Sequence, residues 1–214
     1  FMTNEKIALC SVSDKNELDK LCKCLASRGW KLLASGGTSS YIRDCGLDVI
    51  EVSDYTGSPE VIGGRVKTLH PAIHAGILAR NNTADRNELA AHGWCPIDMV
   101  IVNLYPFQDV VKDPLVTTEL AIEHIDIGGV ALLRAAAKNY HRCTVVSSPD
   151  DYDVVIDNLN NDSLNIETRK IFAVKAFNCT SKYDRAISNY INGDGTYDKR
   201  AYHIAKLEYG ENPH

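Results

Sequence analysis

Apolar positions along the chain fall into two alternating rhythms. Residues 6–11, with Ile7 and Leu9 and then Val12, make a short run that reads as a buried strand. Ser13-Asp14-Lys15-Asn16-Glu17 follows, and Asp14 with Glu17 three residues on predicts a helix start. Leu18, Leu21, Cys22 and Leu25 then recur at i, i+3, i+4 and i+7, one face of a helix closed by Gly29. Residues 30–34 predict a second strand. Ser35-Gly36-Gly37-Thr38 leads into a short helix ending near Cys45, and residues 48–52 predict a third strand. Strand and helix alternating through tight connections predict an α/β fold with a parallel sheet.

Residues 53–78 break the rhythm. They are rich in Gly, hold Pro59 and Pro71, and read as a structureless insert with a functional role. A polar helix is expected over 84–92. The run Ile97-Asp98-Met99-Val100-Ile101-Val102-Asn103-Leu104 is the clearest buried strand, and it ends at Tyr105-Pro106-Phe107. Helices are predicted at 118–125 and 129–138, a fifth strand at 143–146, and a long amphipathic helix at 167–191 whose apolar side carries Ile171, Val174, Phe177 and Ile187. Residues 192–214 are polar and show no core pattern.

Composition narrows the function classes. In 214 residues the apolar fraction is 44%, that of an ordinary globular core rather than a disordered chain. No apolar run approaches the ~20 residues of a membrane-spanning helix. The first residues lack the basic and apolar blocks of a signal peptide, so no membrane partner and a cytoplasmic location are expected. Phe1 ahead of Met2 reads as an addition before the natural start. With 23 basic and 28 acidic residues the net charge is −5, and no Lys/Arg block points to nucleic acid. The seven cysteines are scattered, without Cys-x-x-Cys, and read as reduced thiols acting as small hydrophobes.

Ligands of parallel α/β sheets bind beyond the carboxyl ends of the strands, and several polar strings fall there. In Ser35-Gly36-Gly37-Thr38 two glycines admit close approach to a helix start whose N–H groups suit a phosphate. A tight turn with a Thr cap is the alternative. Lys15 would stand beside it as a cation, or lie solvated at its own helix start. In Gly63-Gly64-Arg65-Val66-Lys67-Thr68-Leu69-His70-Pro71, Arg65 and Lys67 alternate on a glycine-led loop and can face one cleft as anion-binding groups. His70 and His74 are four apart, but Pro71 intervenes and no His-Glu-x-x-His pattern exists. No metal site is therefore expected, and His70 reads as a hydrogen-bonding residue. Asn103 and Tyr105 close the fourth strand. Asp126-Ile127-Gly128-Gly129 opens a helix with N–H groups suited to an oxyanion and a carboxyl suited either to proton transfer or to capping. Arg134 and Lys138 lie four apart on that helix.

Ser11-Val12-Ser13-Asp14-Lys15, Ser35-Gly36-Gly37-Thr38, the stretch from Gly63 through Ala79, Asn103-Leu104-Tyr105-Pro106-Phe107 and the stretch from Ile125 through Asn139 together resemble one family. It is the N-terminal domain of the bifunctional purine-biosynthesis enzyme that couples aminoimidazole-carboxamide ribotide transformylase to inosine monophosphate cyclohydrolase. The resemblance runs in order from about residue 6 to residue 191. It implies a methylglyoxal-synthase-like three-layer sandwich over 1–191, with a mostly parallel five-stranded sheet and extra C-terminal helices. Residues 192–214 would be a linker and the first residues of an otherwise absent transformylase domain, since Tyr209-Gly210-Glu211-Asn212-Pro213-His214 resembles that domain's opening string.

The implied activity is ring closure of 5-formamidoimidazole-4-carboxamide ribotide to inosine monophosphate with loss of water, without cofactor or metal. Transformylase activity would be absent, and homodimers would belong to the full-length enzyme. By resemblance Lys67 and the N–H groups of Asp126 and Ile127, beside Gly128, hold the formyl oxygen, while Asp126, Tyr105 and Lys138 move protons. Ser13, Asp14, Lys15, Ser35, Gly36, Gly37 and Thr38 would grip the ribose phosphate. Arg65, Thr68, Val102 and Asn103 would line base and ribose. Lys138 fits this least easily, since nine helical residues past Gly129 correspond to about 14 Å. The competing expectation is a nucleotide-sensing module without catalysis, for which Lys67, Tyr105, Asp126 and Lys138 together would have no purpose.

Overall fold

The structure, a computed structural model, describes residues 5–193 apart from Arg65. The expectation for residues 194–214 therefore lies outside the described residues, as does the one for the Arg65 side chain. In chain order the first elements are β1 (Ile7–Val12), α1 (Leu18–Ser27), β2 (Lys31–Ala34), α2 (Gly36–Asp44), β3 (Ile50–Glu51), α3 (Val52–Thr56), α4 (Pro71–Leu78) and α5 (Thr83–Ala91). Next come β4 (Met99–Asn103), α6 (Phe107–Val110), α7 (Thr118–Glu123), α8 (Gly128–Lys138), β5 (Thr144–Val146), α9 (Tyr152–Asn160) and α10 (Ile166–Ile191). Single 3-10 turns lie at Ile62–Gly64 and Pro149–Asp151.

The five strands form one sheet in the order β3-β2-β1-β4-β5, and every pairing in it is parallel. The two central strands run side by side from Ala8 opposite Met99 to Val12 opposite Asn103. Both are near-continuous apolar runs because helices cover both faces of the sheet. On one side α1 packs beside α9, and elsewhere α8 packs against both α4 and α10. The chain winds outward through β2 and β3, then returns to the other side of β1 for β4 and β5. That reversal between β1 and β4 opens a crevice beyond Val12 and Asn103, where such sheets bind ligands.

Three sequence expectations change. The third strand shrinks to two residues, because buried Val52 already begins α3. Residues 53–78 are not structureless: they hold α3, the turn at Ile62–Gly64 and α4. Pro71 occupies the first turn of α4, where its missing N–H costs nothing, and His70 Nδ1 accepts the Ala72 N–H at 3.1 Å as the cap. The long last helix turns a different face inward. Ile171 and Val174 are 59% and 54% exposed, while Phe172, Ala173, Ala176, Thr180 and Tyr183 are buried. Small side chains let α10 lie close against α8, itself buried along Ala135, Ala136 and Ala137.

A second, smaller apolar cluster lies apart from the main core. Phe107, Ala121 and Tyr183 form its centre, with Leu104, Ile125, Val130, Ile187 and Tyr190 around them. It seats the segment that carries Tyr105 and Asp126 on the C-terminal half of α10.

Candidate active site

The crevice is shaped first by Asn103, at the end of β4. Its Oδ1 accepts the N–H groups of Ser13 at 2.7 Å and Asp14 at 2.8 Å, and its Nδ2 donates to the Asp14 carbonyl at 2.7 Å. The amide is engaged in folding the loop after β1, which carries Lys15. Val102 is fully buried, so its side chain lines no ligand surface.

The Ser35–Thr38 turn forms the second wall. Gly36 has φ +54, and a Cβ there would stand 2.8 Å from Lys67 Nζ; one on Gly37 would stand 3.9 Å from Lys15 Nζ. Two ammonium groups from distant loops thus converge on one glycine turn. Ser35 occupies the cap position of α2 without a side-chain capping bond. The Gly36 N–H is taken by Glu51 Oε1 at 3.1 Å, and Glu51 also accepts from Ser39 Oγ and Arg43. Burial opposes charge on Glu51, yet these donors hold its carboxyl below the usual range. Thr38 Oγ1 donates to the Val12 carbonyl at 3.1 Å and accepts the Val12 N–H at 3.2 Å. Its hydroxyl proton therefore stitches α2 to β1. Among the described residues the N–H groups of Gly37 and Thr38 have no acceptor, as expected for the first turn of a helix.

Loop 57–69 bridges the crevice. Positive φ angles at Ile62, Gly63 and Gly64 fold it back so that Lys67 Nζ lies 3.4 Å from Glu60. The next residue, Thr68, is buried and points the other way, its Oγ1 2.7 Å from where a Cβ on Gly128 would be. Only glycine at 128 leaves room for that hydroxyl.

The third wall is the start of α8. Asp126 Oδ1 accepts the Gly129 N–H at 2.7 Å, and the Tyr105 N–H also bonds the carboxyl. Burial raises the Asp126 pKa, and those two bonds offset only part of the rise. The Asp126 N–H is occupied by Tyr183 Oη at 2.9 Å. Of the two N–H groups expected to hold an oxyanion, that of Asp126 is therefore already bonded within the protein. Among the described residues those of Ile127 and Gly128 have no acceptor. The Tyr105 ring is 54% exposed, edge-on to His124. Lys138 is the last residue of α8 and is exposed. Ten residues from Gly128 place it about 15 Å along the axis, at the far end of the helix from the crevice. Sequence reasoning missed Glu51, Glu60 and Tyr183, none of which carries a motif.

The site thus sets two lysine ammonium groups at a glycine turn and a half-buried carboxyl at the start of α8, at the switch point of a parallel α/β sheet. Residues 17–131 match the MGS-like domain, and the chain belongs to that family. Residues 136–214 match the family described as AICARFT/IMPCHase bienzyme. Over 98% of its length the chain is 46% identical to the bifunctional purine biosynthesis protein PurH of Trichormus variabilis, and over 97% it is 45% identical to that of Aquifex aeolicus. It spans only 42% of each of those relatives. A solved structure titled "Crystal structure of ForH" superposes with a TM-score of 0.76 at 36% identity, covering 86% of this chain and 98% of that one.

Proposed function

We propose that this chain is an inosine monophosphate cyclohydrolase acting in purine biosynthesis, closing 5-formamidoimidazole-4-carboxamide ribotide with loss of water. The observation that carries the reading is the loop holding Lys67 at the glycine turn and Thr68 at Gly128, which joins an anion site to an acid–base site. The ribotide phosphate sits on the Gly37 and Thr38 N–H groups, beside Lys15 and the loop at Ser13 and Asp14 that Asn103 shapes. Ser35 and Gly36 set the turn, and Arg65 stands two residues before Lys67 in the sequence.

The carboxamide nitrogen forms a bond to the formyl carbon and gives up one proton, while the formyl oxygen becomes an alkoxide. Lys67 and the N–H groups of Ile127 and Gly128 stabilise that charge. Asp126, with its raised pKa, takes and returns protons, and the Tyr105 hydroxyl stands at the crevice mouth to relay them. The protonated oxygen then leaves as water as the former formamide nitrogen sheds its proton. Lys138 has no contact in this scheme.

The PurH relatives, bifunctional purine biosynthesis proteins by name, support the substrate class. The transformylase step and the homodimer are proposed for the longer protein. The test is a spectrophotometric assay of the 214-residue protein with the formylated ribotide. Inosine monophosphate forms well above the uncatalysed rate, and Lys67→Ala lowers turnover about 100-fold or more, as loss of an oxyanion donor does. Binding without turnover would instead favour a nucleotide-sensing module.

A further inference from the structure

We infer that Tyr183, on the long final helix, is a positioning residue for the acid–base turn at Asp126. This rests on the cyclohydrolase reading above. The Tyr183 hydroxyl accepts the Asp126 N–H at 2.9 Å and donates to the His124 carbonyl at 3.3 Å. One hydroxyl thereby fixes both ends of the peptide run that delivers the Asp126 carboxyl. The bonds reach across 57 and 59 residues of sequence.

The ring that carries this hydroxyl is itself held. It is buried and packs edge-on against Phe107, with centroids 6.2 Å apart, while Phe107 meets Tyr190 in the same way at 5.6 Å. Ala186 and Ile187, also on α10, pack against the same cluster, and Leu104, Ile125 and Val130 join it from the acid–base wall. The Tyr183 hydroxyl is thus a polar atom in a largely apolar seat, and it is aimed at the main chain of the site.

Two consequences follow for the chemistry. Tyr183 selects which amides meet the alkoxide: it occupies that of Asp126 and leaves those of Ile127 and Gly128. It also sets the depth of the Asp126 carboxyl, whose own bond to Gly129 N–H needs the turn in this conformation. Tyr183 lies beyond residue 131, where the MGS-like match ends, within the stretch that matches the bienzyme family. The added helix thus supplies a part that the sheet and its crevice lack.

Tyr183→Phe removes one oxygen and keeps the ring. Ile187→Ala loosens the same cluster without touching the turn. Tyr183→Phe lowers kcat about tenfold or more with KM for the ribotide within about twofold, because a misplaced acid–base group affects the chemical step. Ile187→Ala lowers Tm and keeps kcat within about twofold, the signature of packing alone. A folded Tyr183→Phe enzyme with unaltered kcat overturns the inference. Amide hydrogen exchange on the unmutated protein decides the matter without turnover. The Asp126 amide is protected while those of Ile127 and Gly128 exchange fast, and an Asp126 amide as fast as theirs also overturns it. Failure of the unmutated protein to convert the ribotide would instead count against the cyclohydrolase reading.

Discussion

The Lys67 ammonium stands 2.8 Å from the point that a β-carbon on Gly36 would occupy. Gly36 also holds φ +54, so alanine there is strained by roughly 1–2 kcal/mol. The contact itself is inexpensive to relieve, since the flexible end of a lysine can swing away. Relief, however, takes the ammonium from the crevice. Gly36→Ala is therefore expected to lose more activity than stability. Tm falls by a few degrees, while kcat/KM drops about tenfold or more, a loss of ~1.4 kcal/mol in transition-state stabilisation. Kinetics unchanged in a folded variant would show that Lys67 does not act at this turn.

Asn103 makes a second prediction. Its three hydrogen bonds hold the loop that bears Lys15, and no other side chain among the described residues bonds the Ser13 and Asp14 N–H groups. In Asn103→Ala these partly exposed groups turn to water, so stability falls by about 1 kcal/mol only. The loop no longer presents Lys15 in one position. KM for the ribotide is expected to rise on the order of tenfold with kcat changed far less, since ordering the loop now opposes binding. Titration calorimetry with inosine monophosphate checks this, and unchanged affinity would place the phosphate elsewhere.

Much of this fold is legible in the apolar pattern, for a physical reason. The central strands β1 and β4 are buried on both faces and read as near-continuous apolar runs, while α1 shows its buried stripe of Leu18, Leu21, Cys22 and Leu25 directly. The pattern misleads where burial is by small residues. On α10 the larger Ile171, Val174 and Phe177 face outward while Ala173 and Ala176 face the core. The sequence reading places no helix at α9, although Tyr152, Val155 and Leu159 mark its buried side, because Val154 and Ile156 stand among Asp153, Asp157 and Asn158 and blur the stripe. The glycine strings and strand ends singled out in the sequence do come together at the crevice. The local string did not disclose that Thr38 binds Val12, that Glu51 takes the Gly36 N–H, or that Tyr183 takes that of Asp126. Each is a hydrogen bond across 15 to 57 residues, set by packing rather than periodicity.

Asp126 carries the last prediction, in which stability and activity move in opposite directions. Burial raises its pKa, with the Gly129 and Tyr105 N–H groups lowering it only in part. The folded protein therefore binds this proton more tightly than the unfolded chain. The Asp126 contribution to stability is lost as pH rises from the ordinary carboxylate value through the raised one. At neutral pH the ionised group is a net cost to the fold. Asp126→Asn keeps an oxygen to accept the Gly129 N–H and removes the buried charge, so its Tm at pH 7 is expected to equal or exceed that of the parent. Its activity is expected to fall about 100-fold or more, because an amide takes no proton. The parent's kcat/KM declines on the acid side at a pH above that of an ordinary aspartate, and the residual activity of Asp126→Asn shows no such limb. Pairing the two pH profiles with thermal melts reads both effects. An acid limb that survives in the variant would assign the essential base to another residue.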